Sequence, residues 1–162
     1  MTVLYTRKEI EKRIEEIALE LSTQHDDLII IGVLNGPFMF LSDLTKELNI
    51  PCQIDFIRVK TYANNESTGK VKWIKHPEID LTDKDVLIIE DILETGLTLK
   101  TIKEELQKQK PRSIKTAVLL QRESCPIAAD YVGFTISKAD YVIGYGLDDN
   151  ERCRNYPFIY IK

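Results

Sequence analysis

The sequence has no apolar run approaching the roughly 18 residues of a membrane span, and its opening stretch, MTVLYTRKEIEKRIEEIALEL, has no apolar core of signal-peptide length. A cytoplasmic protein without membrane contact is expected. Cysteine is sparse: Cys52, Cys125 and Cys153 are odd in number, far apart and without a C-x-x-C pair. That pattern speaks against a disulfide framework or a zinc knuckle and reads as reduced, packing thiols. Positive charge is not in excess either. A formal net charge of -4 argues against a nucleic-acid footprint, which shows clustered Lys and Arg. No G-x-x-x-x-G-K-[ST] occurs, which removes a P-loop NTPase. Repeats, linkers and low-complexity segments are missing as well, so the 162 residues suit one domain, 1–162.

What is present is an alternation of strands and helices. Thr6 and Glu9 have the spacing of a capping box, and Ile10, Ile14, Ile17, Ala18 and Leu21 then share one face of a helix. LIIIGVL (28–34) is continuously apolar, as a strand buried on both faces is. After Asn35-Gly36-Pro37 the pattern turns helical through FMFLSDLTKEL. QIDFIRVKTY and KVKWIK flank the polar NNESTGK, which predicts a long hairpin or flap over 53–75. DVLIIED is the next buried strand, followed by a helix from about Thr98 to Gln109 that Pro111 ends. KTAVLL, DYVGFTI and DYVIGYG are read as three more strands. Such an order implies an α/β fold with a mostly parallel sheet, whose ligands bind beyond the carboxyl ends of the strands.

VLIIEDILETGLTL (86–99) ends a buried strand in Glu90, Asp91 and Glu94, and then enters a Thr-Gly-Leu-Thr turn. A strand that only packs has no use for so much negative charge at its end. Four hydrophobics, two acids, two hydrophobics, then acid-Thr-Gly-x-Thr resemble the signature of the type I phosphoribosyltransferases, in the strand-turn-helix context that motif requires. From about Thr6 onward the chain resembles the hypoxanthine-guanine phosphoribosyltransferases. IIGVLNGPFMFLSDL is similar to their first active-site loop, Thr61-Tyr62 to the Ser-Tyr pair of their mobile loop, and DYVGFTI with VIGYGLDDNERCRN to their purine-binding end.

The resemblance implies a type I phosphoribosyltransferase fold, a mostly parallel twisted sheet with flanking helices, a mobile hairpin flap, and a small hood built from the chain ends. It implies transfer of the phosphoribosyl group of phosphoribosyl pyrophosphate (PRPP) to a 6-oxopurine with Mg2+, giving a purine nucleotide and pyrophosphate, in a dimer or tetramer. The backbone of Glu94, Thr95, Gly96, Leu97 and Thr98 would cradle the 5'-phosphate at a helix start, with a plain helix cap by Thr98 as the alternative. Glu90 and Asp91 would meet the ribose hydroxyls, lie near the PRPP-bound Mg2+, and favour a transition state with positive charge at C1'. Asp148 matches an acid near a second Mg2+, against a solvated turn acid.

Several positions depart from the family pattern. The acid that acts as general base toward purine N7 is normally Asp and here is Glu94. Leu34-Asn35-Gly36 stands where a Leu-Lys-Gly segment with a cis peptide binds pyrophosphate, so a positive charge is missing, and an ordinary turn is the alternative. Arg154 matches a pyrophosphate-binding Arg, or pairs with Glu151 on the surface. Arg122 replaces the Lys that donates to the purine 6-oxo group, the alternative being a strand-end surface Arg. Tyr141 falls where an aromatic stacks on the base, although a strand aromatic is also ordinary core, and the Val142 backbone would read the purine edge. These departures keep open a second hypothesis, a regulatory protein on the same fold that senses PRPP or a nucleotide without turnover.

Overall fold

The computed structural model describes residues 1–61 and 71–162, with Thr61 described through its backbone alone. Tyr62 and the NNESTGK turn lie outside the described residues. The elements run β1 (Thr2–Tyr5), α1 (Arg7–Gln24), β2 (Leu28–Val33), α2 (Phe38–Glu47), β3 (Cys52–Thr61), β4 (Val71–Lys75), β5 (Asp85–Leu93), α3 (Leu97–Gln107), β6 (Ser113–Arg122), β7 (Tyr131–Ile136), β8 (Val142–Ile143) and β9 (Ile159–Ile161). Six strands form one sheet in the order β4-β3-β2-β5-β6-β7. All neighbours are parallel except β4, which returns antiparallel along the edge of β3. This is the mostly parallel α/β sheet that the sequence implies.

Alternation within single strands shows why the apolar runs are continuous. In β2, Leu28 and Ile30 face a cluster formed with Ile10, Ile14 and Leu21 of α1 and Phe40 and Leu44 of α2. Ile29, Ile31 and Val33 face the opposite cluster, with Leu99, Ile102 and Leu106 of α3. Each such fully buried side chain contributes about 1.5–3 kcal/mol of burial free energy. The helix before β2 is fixed at its start as expected: Thr6 accepts from the Glu9 N–H, and the Glu9 carboxylate accepts from the Thr6 N–H at 2.8 Å.

A second sheet, β1-β9-β8, is antiparallel and builds the hood. Two of its strands are absent from the sequence reading, and the third is shorter than expected. DYVIGYG is strand only at Val142–Ile143, because Gly144, Tyr145 and Gly146 have φ of 93°, 50° and 99° and turn the chain away. Likewise α3 stops at Gln107 rather than Gln109: the N–H groups of Lys108, Gln109 and Lys110 each reach the carbonyl three residues back, a tightened last turn. No helix among the described residues is long and apolar enough to cross a membrane.

Candidate active site

β2 lies between β3 and β5 in the sheet, although the chain visits β3 first and returns to β5 on the other side. The crevice at the carboxyl ends of β2 and β5 is therefore a topological switch point, where open α/β sheets bind ligands. From β2 comes the Leu34–Gly36 loop, from β5 the acids and the turn into α3, and from β6 Arg122.

The Leu34-Asn35 peptide is cis, and the Leu34 N–H donates to the Ile57 carbonyl at 2.9 Å. Asn35 is exposed and Gly36 buried. Glycine is required there by packing, since a Cβ on Gly36 would overlap Asp91 Oδ2. A Cβ on Gly146 would in turn overlap the Gly36 carbonyl oxygen, and Gly146 also has φ of 99°. Asp91, Gly36 and Gly146 are thus stacked in direct contact. The chain's Gly-Tyr-Gly holds the signal for Gly146, but glycine there means a turn and not strand.

Glu90 and Asp91 are set deep at the end of β5. Burial pushes the Glu90 carboxyl up to about 8, and the neighbouring Asp91 charge adds to the rise. Burial also raises Asp91, to about 6; backbone N–H donors and Arg154 oppose this, and Asp148 adds to it. Both acids are short of positive charge, so a cation or a polar ligand there favours their ionised forms.

Beyond them α3 begins without a side-chain cap. Its N-cap is Gly96, at φ of 79°, and not Thr98. The alternative of a plain cap by Thr98 does not hold. A Cβ on Gly96 would overlap the Ile127 side chain, so the turn is packed closely from behind. The open amide end of α3 adjoins a cavity of about 350 Å³ whose lining includes Glu90, Asp91, Glu94, Thr95, Gly96 and Thr98. Leu97 is 38% exposed and is not part of that lining.

A second cavity of about 190 Å³ shares Asp91, Ile92 and Glu94 with the first and adds Arg122, Tyr141, Val142, Leu147 and Asp148. Arg122 Nε and one terminal nitrogen donate to Glu94 Oε1 at 3.2 and 3.1 Å. Tyr141 is half exposed, with its hydroxyl 3.5 Å from Asp149 Oδ1 and Lys162 Nζ 5.6 Å from the ring centroid. Arg154 donates to the Gly146 carbonyl at 2.8 Å and pairs with both Asp148 (2.9 Å) and Glu151 (3.1 Å). The Glu151 pairing foreseen as an alternative is therefore present, together with contacts that turn Arg154 toward the crevice. Thr61, paired in the backbone with Val71, lies on the β3–β4 hairpin. The three cysteines are free and half-buried.

A phosphoribosyl transferase domain model matches residues 2–151. The hypoxanthine-guanine phosphoribosyltransferase of Bacillus subtilis is 41% identical over 97% of this chain and 90% of its own length, and that of Staphylococcus aureus is 43% identical over the same shares. Among solved structures, a hypoxanthine-guanine phosphoribosyltransferase of Bacillus anthracis superposes with a TM-score of 0.95 at 34% identity, covering 100% of this chain and 98% of that one. The hypoxanthine phosphoribosyltransferase of Trypanosoma cruzi in complex with the product IMP gives 0.92 at 34% identity, covering 99% and 93%. Two neighbouring cavities at the switch point, one against an open helix end and one walled by Arg122 and Tyr141, thus occur in a chain that belongs to the phosphoribosyltransferase family, among its hypoxanthine-guanine members.

Proposed function

We propose that this enzyme moves the 5-phosphoribosyl group of PRPP to a 6-oxopurine, hypoxanthine or guanine and also xanthine, giving the nucleotide and pyrophosphate in purine salvage. The observation that carries the assignment of the site is the sharing of Asp91 and Glu94 between the two cavities, which sets an anion-and-sugar compartment beside a base compartment. The 5'-phosphate binds the backbone N–H groups of the turn from Glu94 to Thr98. Asp91 and Glu90 accept from the ribose hydroxyls and stabilise positive charge at C1' as the bond to pyrophosphate breaks. Pyrophosphate leaves against the Leu34–Gly36 loop and Arg154. The purine stacks on Tyr141, meets the Val142 backbone, donates its N7 proton to Glu94 and accepts at O6 from Arg122. Thr61 and Tyr62, on the flap, close over the crevice and exclude water.

The residues fit Mg2+. Glu90, Asp91 and Asp148 are hard oxygen donors, and burial raises the first two, with Arg154 the cation that opposes it at Asp91. Mg2+ at phosphate-bearing substrates takes one or two carboxylates and completes its shell with substrate oxygens and water. When bound, Mg2+ neutralises the departing pyrophosphate. One domain over 1–162, a cytoplasmic location and a dimer or tetramer complete the proposal. The test is pyrophosphate release from PRPP with each of five common nucleobases. Release with hypoxanthine and guanine supports the reading, and none with any 6-oxopurine overturns it.

A further inference from the structure

We propose that Glu94 and Arg122 form a matched pair, in which Arg122 is a positioning residue that sets where the Glu94 carboxylate meets the purine. The inference rests on the phosphoribosyl-transfer reading above and deepens it. Arg122 is the fixed member, with a side chain 11% exposed, whereas Glu94 is 59% exposed. One terminal nitrogen of the guanidinium donates to the carbonyls of Ser137 and Asp140, at 2.7 and 2.6 Å. These carbonyls sit in the turn just ahead of Tyr141, so Arg122 braces the purine wall on one side. On the other side Nε and the second terminal nitrogen hold Glu94 Oε1.

A guanidinium has five N–H groups, and four are used in these contacts. One remains on the terminal nitrogen facing Glu94, and Glu94 keeps Oε2 without a partner among the described residues. A donor and an acceptor are thereby left over on residues that line the same cavity. That is the complement of a 6-oxopurine edge, with its carbonyl at C6 and its proton on N7. Lys cannot make this arrangement, because a point ammonium with three donors has no planar fork for two carbonyls and one carboxylate together. Asp cannot either, since a carboxylate one methylene shorter retreats from the fork. Both positions are longer here than the family's Asp and Lys, and the gains in length meet each other.

The experiment compares the parent protein with Glu94→Asp, Arg122→Lys and the double variant, reading kcat and KM for hypoxanthine and for PRPP along with thermal melts. Each single change is expected to lower kcat with hypoxanthine by about tenfold or more while KM for PRPP stays within about threefold, and the double variant, which sets the family's Asp and Lys together, to keep at least about tenfold more kcat than the product of the two fractional activities predicts. Losses that multiply to within about twofold overturn the pairing. If Arg122→Lys does not fold, Glu94→Asp decides alone, and a kcat within about threefold of the parent overturns it. A parent that transfers to no 6-oxopurine overturns the function itself, which is distinct from an active parent with independent losses.

Discussion

Replacing Gly36 by Ala is the sharpest perturbation that the site permits, because it adds one methyl group between the Leu34–Gly36 loop and Asp91. The new Cβ would overlap Asp91 Oδ2, and the loop is also packed against Gly146, where a Cβ would overlap the Gly36 carbonyl oxygen. Relief requires the loop or the carboxylate to move by about 1 Å or more, and a displacement of that size in a substrate-holding group costs roughly 100-fold in rate. The expected loss in kcat/KM for PRPP is therefore about 100-fold, or about 2.7 kcal/mol of transition-state stabilisation. Overpacking also lowers folding stability by about 1–3 kcal/mol. Initial rates of pyrophosphate release, measured against PRPP at saturating hypoxanthine and at a temperature where melts show the variant folded, separate the two effects. Wild-type kcat/KM for PRPP in a folded Gly36→Ala variant would refute the contact between loop and carboxylate on which the site is built.

Glu94→Gln is expected to keep PRPP affinity and slow turnover by roughly ten- to a thousandfold, because the amide accepts from Arg122 but takes no proton. Single-turnover kinetics check this, and an unchanged chemical step removes Glu94 from the base role. Adenine is expected to be used at least about tenfold less well than hypoxanthine, since its 6-amino group faces the Arg122 donor. Arg122→Met is then expected to narrow that gap, which competition assays with the two bases would read. At the opposite end of the sheet Asp85 accepts from Arg112, Ser113 and His25, and the Arg112 contact leads in holding its carboxyl well below the usual range. A depressed folded-state value means stability that is full above the unfolded value of about 3.9 and is lost as pH falls below it. Asp85→Asn is expected to cost about 1–3 kcal/mol at pH 7, with a difference from the parent in urea melts that shrinks below about pH 4. A pH-independent difference contradicts the linkage.

The parts of the fold legible in the sequence are those whose cause is local or periodic. β2 and β5 are buried on both faces, so their residues carry no polar alternation, and Thr6 with Glu9 marks the start of α1 because the capping contacts span three residues. β1 and β9 escape notice for the opposite reason. TVLY and IYI are too short for a period to show, and each exists through the other, Thr2 opposite Ile161. In the site, the acids of β5 are visible as charges where a buried strand has no use for them. The Glu94–Arg122 pair spans 28 residues, and no local pattern announces it. Nor does any announce the contacts of Gly36 with Asp91 and Gly146, which only the assembled fold produces.

The pairing of Thr2 with Ile161 places the first and last strands as hydrogen-bonded neighbours, roughly 5 Å apart. Residues at the two termini can therefore be joined by a short linker without stretching the sheet, and the chain reopened at an exposed turn such as Thr82–Lys84, far from the crevice. Circular permutation would then leave every strand of the large sheet in place. What it could not spare is the pairing itself, because β8, which carries Val142 into the wall of the second cavity, is held by β9, and β9 by β1. Covalent order at the ends is dispensable, while their adjacency supports that wall.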